Sequence, residues 1–118
     1  MAHPNLNSPT NVEGLSLAAA VGTSATVIVS NGTASSATIR IVSLYCANVD
    51  GSSAADVTVR LATGTNAWSI ASTVSVPADA TVEVISGRPL YLKEGDSLTA
   101  TASAAGDLEA VVSYEKIT

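Results

Sequence analysis

The sequence predicts an all-β protein: an antiparallel β-sandwich, of jelly-roll or immunoglobulin-like type, with about eight strands and an extended N-terminal arm. Three observations carry that reading. Short runs of alternating apolar and polar residues recur from Gly14 onward, punctuated by Gly, Asn, Asp and Ser. Val, Thr, Ser and Gly are abundant and nothing repeats at helical period over a useful length. The stretch from Pro89 holds two alternating runs, Leu98–Ser103 and Leu108–Ile117, joined by a polar turn around Gly106, as in an antiparallel hairpin with one wet face.

At 118 residues the chain makes one domain, large enough to bury roughly two-thirds of its unfolded surface. Residues 1–13 read as the arm and residues 14–118 as the sandwich. Aromatic residues make up 3% and Phe is absent, so the core has to be built from Val, Ile, Leu and Ala. The single cysteine, Cys46, excludes an intrachain disulfide.

Taken in order, Met1 to Glu13 carries two prolines and little periodicity, which predicts a segment that orders only against another surface. Strands are expected near Leu15–Val21, Ala25–Ser30, Ala37–Asn48, Ala55–Ala62, Trp68–Val76, Thr81–Ser86 and Leu90–Leu92, and then at the two C-terminal runs. Asn31-Gly32 and Asp50-Gly51 each suit the two positive-φ positions of a type I′ hairpin turn. Gly64-Thr65-Asn66 and Ala78-Asp79 are further turns, and Gly95 can take positive φ freely. In the third run Ile39 and Ile41 share one phase while Val42, Leu44 and Cys46 share the other, which predicts a bulge near Ile41 and Val42. The clean alternation elsewhere places Val57, Val59, Leu61, Val82, Val84, Leu98 and Val112 in the core.

Composition narrows function by exclusion. Five basic residues against ten acidic ones give a net charge of -5, which opposes a phosphate-binding surface, so nucleic acid is not an expected partner. No run reaches the roughly twenty apolar residues that span a bilayer, and no membrane partner is expected. Leu15 to Val21 is apolar, but no Lys or Arg precedes it and Glu13 does, which speaks against a signal peptide and for a non-secreted protein made in the cytoplasm.

The candidate chemistry is sparse. His3, the sole histidine, lies in the arm, so a Ser-His-Asp or Cys-His arrangement would have to recruit a tail residue. Cys46 falls on the inward phase of a strand and reads as a small core hydrophobe rather than a reactive thiolate. Asp50, Asp56, Glu94, Asp96 and Asp107 lie in or near turns, where carboxylates can gather round calcium, but their spacing matches no calcium loop and turn chemistry explains them. Trp68, Tyr45, Tyr91 and Tyr114 could form a sugar-stacking platform, or serve packing in the strands that hold them. The expectation is therefore no catalytic residue, no metal site and no cofactor.

Several phrases taken together carry a resemblance: Val42-Ser43-Leu44-Tyr45-Cys46-Ala47-Asn48-Val49-Asp50-Gly51, Ala55-Asp56-Val57-Thr58-Val59, Ala71 to Ala78, Tyr91 to Leu98, and Ser113-Tyr114-Glu115. As a succession of strand and turn from about Ser30 to Thr118, the chain resembles small virion structural proteins of tailed bacteriophages, especially those infecting cyanobacteria and other aquatic bacteria. The resemblance implies a non-enzymatic β-sandwich subunit of the virion: a capsid decoration or cement protein on the capsid surface, made in the host cytoplasm. It implies the major capsid protein and further copies of the chain as partners, a trimer being the oligomer that fits local threefold positions. The alternative is a tail, fibre or receptor-binding module that binds carbohydrate.

Overall fold

A computed structural model describes residues 3–118. Nine strands follow one another: β1 (Val12–Val21), β2 (Thr26–Ser30), β3 (Thr38–Asn48), β4 (Ala55–Thr63), β5 (Asn66–Val76), β6 (Thr81–Ile85), β7 (Leu90–Leu92), β8 (Asp96–Ala102) and β9 (Leu108–Ile117). Each ends within one residue of the end that alternation predicts. β1 opens earlier than expected, at Val12, and so takes in the last two residues assigned to the arm.

The strands form two antiparallel sheets, β1-β9-β3-β6 with β7 also on β3, and β2-β8-β4-β5. β3 accommodates two short neighbours end to end: its Ile39–Ile41 stretch pairs with β7 and its Leu44–Ala47 stretch with β6. If β6 and β7 are taken as one position, the pairs are β1 with β9, β2 with β8, β3 with β6/β7 and β4 with β5. That is a single long hairpin with its tip at Gly64, whose φ is 60°, rolled into two layers. The order is that of a jelly roll rather than an immunoglobulin sandwich.

Between the layers Ile41, Leu44, Leu92, Leu98, Leu108, Val57, Val59 and Val112 are fully buried. Of the expected core residues, Leu61, Val82 and Val84 sit at its margins, half-buried but packed against it. The bulge in β3 is where the phase change predicts it: pairing with β9 shifts between Ile41 and Ser43. Val42 is the extra residue and points outward, 42% exposed, rather than inward with Leu44 and Cys46.

Three local expectations are corrected. β8 and β9 are not a hairpin, since they belong to different sheets; the Ser103–Asp107 segment arches across the sandwich, with Gly106 at φ 80°. The two apolar faces do meet in the core, but across the layers. Asn31-Gly32 and Asp50-Gly51 are not I′ turns either: they begin the crossings from β2 to β3 and from β3 to β4, and neither glycine has positive φ. Both crossings are closed by a buried asparagine instead. The Asn31 side-chain amide donates to the carbonyls of Ala37 and Leu92, each at 2.9 Å. That of Asn48 donates to Ser53 and Val76, again at 2.9 Å. An amide NH2 supplies the two donors that such a junction needs.

The arm is pinned before it leaves the domain. Thr10 and Asn11 donate their N–H groups to the Thr118 carbonyl, and the Thr118 N–H returns a bond to Asn11. A turn at Asn5–Ser8 interrupts the extended course expected there, held by Ser8 N–H on the Asn5 carbonyl and Asn7 N–H on the Asn5 side chain.

Candidate functional site

The titratable residues singled out in the sequence are dispersed by the fold. His3 is exposed in the arm. Cys46 is fully buried on the inner face of β3, and desolvation pushes its thiol up to about 11. At neutral pH it is a protonated, buried side chain, the setting of a core thiol rather than of an activated thiolate.

Two of the carboxylates, Asp50 and Asp96, serve their own turns. Asp50 accepts the Ser52 N–H at 2.9 Å and the Ser52 hydroxyl at 3.0 Å, and the backbone bond first, then the hydroxyl, holds its carboxyl below the usual value. Asp96 is buried and receives Lys93 Nζ at 2.7 Å, while Lys93 also reaches the Thr63 hydroxyl at 2.9 Å. This ties the Lys93–Asp96 turn, where Gly95 has φ 87°, to the tip of the long hairpin. Glu94 is buried beside it with Oε1 unpartnered. Asp56 lies in β4, and its backbone N–H is held by the Ser103 hydroxyl. Among the described residues no three His, Cys, Asp or Glu side chains converge on a point where an ion could bind.

The aromatic residues do not form one platform. Tyr45 and Tyr91 lie on the outer face of the first sheet, at 36% and 46% exposure, opposite Val111 and Arg40 respectively. Tyr114 packs against the core. Trp68, on the edge strand β5 of the other sheet, is the most exposed large apolar residue at 63%.

Surface, then, is what the molecule offers. The outer face of the first sheet carries Ala18, Val111 and Tyr45 in one row across β1, β9 and β3, with the bulged Val42 nearby. Along the strands from that row, Arg40 pairs with Glu115 at 3.2 Å. The outer face of the second sheet is a shallow depression of about 390 Å³ lined by Thr58, Thr99 and Thr101 with Ala25, Ala62 and Arg60. Small hydroxyl and methyl groups keep this second face shallow, whereas Tyr45, Tyr91 and Val42 stand out from the first. A second groove, of about 240 Å³, opens at the β5 edge between the layers, lined by Ile70, Val84, Ile85, Leu90, Pro89 and Arg88. The sequence reading missed it, because alternation reports which way a residue points and not whether the opposite sheet extends far enough to cover it.

The fold is an all-β jelly roll with two broad sheet faces and a groove at the β5 edge. Among solved structures it is similar to a chain in the acidic stable capsid structure of Helicobacter pylori bacteriophage KHP30, with TM-score 0.54, 8% identity, and coverage of 94% of this chain and 90% of that one. It is also similar to a chain of the Bacillus endospore appendages, a family of disulfide-linked pili, with TM-score 0.50, 15% identity, and coverage of 92% and 87%. Both likenesses are of fold. No protein-family model matches the chain, and no curated protein matches it in sequence.

Proposed function

We propose that this protein is a structural subunit of a tailed-phage virion: a capsid decoration, or cement, protein that binds the major capsid protein as a homo-oligomer and stabilises the head. The observation that carries the reading is a jelly roll shared, over nearly the whole chain, with a phage capsid chain. The broad outer faces of the two sheets support it, one shallow and lined by Thr and Ala, the other carrying exposed Tyr45, Tyr91 and Val42, since such faces suit adhesion over an area. The resemblance of the strand and turn phrases to phage virion proteins points the same way. The scattering of the titratable groups is in keeping with a role without catalysis. The disulfide linkage that gives the spore pili their description has no counterpart here, because Cys46 is sealed in the core.

Attachment uses the arm together with a sheet face. With the Asn5–Ser8 turn opened, nine residues ahead of the Thr10 anchor have a reach of up to about 30 Å at roughly 3.3 Å per residue, enough to meet a neighbouring subunit. Leu6, half exposed, supplies an apolar contact there, and repetition over a symmetric shell multiplies modest contacts through effective concentration. The test is to delete residues 1–9, which leaves β1 whole, and to measure co-sedimentation with capsids that lack the protein. Loss of binding is expected, and undiminished binding removes the arm from the mechanism. If the full chain also fails to bind capsids, the decoration reading falls.

Exposure of Trp68, Tyr45 and Tyr91 favours one second reading, a tail or receptor-binding module that uses an aromatic side chain against a sugar. Cryo-electron imaging of the source particle separates the two by placing the subunit on head or tail.

A further inference from the structure

Two apolar ledges face opposite ways across the sandwich. On β1 the core-facing side carries Leu15, Leu17, Ala19 and Val21, whose partners on β9 are Tyr114, Val112, Ala110 and Leu108. Val21 is buried, yet Leu17 and Leu15 are 45% and 40% exposed. The cause is a difference of length: β2, at the corresponding edge of the other sheet, has five residues against ten in β1. At the far edge the inequality is reversed. β5 has eleven residues, while β6 and β7 have five and three with a break at 86–89 between them. Trp68 pairs with Leu61, which packs on the core, so it points inward along an uncovered margin, and Ile70 beside it lines the groove at that edge.

We propose that these ledges lap over one another between successive copies of this chain, the β1 ledge of one copy lying across the β5 ledge of the next. The first sheet overhangs at one edge and the second at the other, so two copies set side by side in the same orientation bring the ledges face to face across an ordinary inter-sheet spacing of about 10 Å. Their heights agree. Leu15, Tyr114, Ile41 and Leu90 form one row across the first sheet, and Leu17, Val112, Leu44 and Ile85 form another. A neighbour placed beyond β6 and β7 therefore continues both rows with its own Leu15 and Leu17, against the groove that Leu90 and Ile85 already line. The contact is heterologous, so repetition gives a ring where the rotation closes. It does not rest on the capsid reading and holds for any assembly of this chain.

The mass of the full chain in solution, measured by light scattering, is the first readout, and an oligomer is expected. Leu17→Glu breaks one ledge and Trp68→Glu the other, each at an exposed site, and folding is checked by circular dichroism. Each variant alone is expected to be a monomer, with self-association weakened at least tenfold. Mixed in equal amounts they form a dimer and nothing larger, because one intact joint survives between them. A monomeric full chain, an oligomer indifferent to both ledge variants, or folded variants that stay monomeric when mixed would overturn the joint. Capsid co-sedimentation is scored separately and bears on the decoration reading alone.

Discussion

At the scale of single residues, the two polar side chains that matter most to the fold are Asn31 and Asn48. Each is 3% exposed and satisfies two backbone carbonyls at a crossing between sheets. Removing such a donor strands buried acceptors, so Asn48→Ala is expected to cost about 3 kcal/mol in urea denaturation. Asn48→Asp should be worse at pH 7 than at pH 4, because an ionised carboxylate would face the carbonyls of Ser53 and Val76. Cys46 makes a different prediction. Its folded pKa, about 11, lies above the unfolded value near 9.0, so its contribution to stability is intact below pH 9 and is lost as pH rises toward 11. A Cys46→Ala variant should lose stability less steeply over that window, and the native thiol should react with a disulfide reagent at pH 8 only as fast as the chain unfolds. Asp50, whose carboxyl is held low, acts at the other end of the scale, adding stability that disappears as pH falls through its lowered value.

At the scale of elements, the strand positions were legible because alternation is a direct record of a two-sided environment. Val57, Val59, Leu98 and Val112 were found that way, and so was the β3 bulge, from a change of phase at Ile41. Partnership was not legible. Leu98–Ala102 facing Leu108–Val112 looks the same in sequence whether the runs pair side by side or oppose each other across a core, and five linking residues permit either. The Asn-Gly and Asp-Gly pairs misled for a related reason: turn chemistry describes the bend and carries nothing about which sheet the next strand joins. A signal for the crossings was nonetheless present, since both begin with Asn and run through a Gly to Ser-Ser-Ala, at Asn31 to Ala37 and Asn48 to Ala54. The contact surfaces were least legible of all, because exposure of Leu17 and Trp68 depends on how short β2, β6 and β7 turn out to be. The bulge provides a check on the element assignment. Val59→Ala should cost about 1 to 3 kcal/mol, through lost burial and the cavity left behind, whereas Val42→Ala, one residue beyond a buried Ile41, should change stability by less than about 0.5 kcal/mol.

At the scale of the whole molecule, β1 and β9 lie side by side at one edge of the rolled hairpin, so both ends of the described chain emerge together. Val12 is opposite Ile117, and the Thr10, Asn11 and Thr118 backbone bonds extend the ladder past them. This arrangement makes the protein mechanically anisotropic. Tension applied at Asn11 and Thr118 loads the first bonds of the ladder alone and peels β1 away a pair at a time. With handles at Gly22 and Thr118, the same ladder is pulled along its length and its bonds share the load. Single-molecule stretching should therefore find a markedly lower rupture force for the first geometry than for the second. A molecule pulled by its two ends would yield gradually from that edge, while one gripped across its sheets would resist as a block.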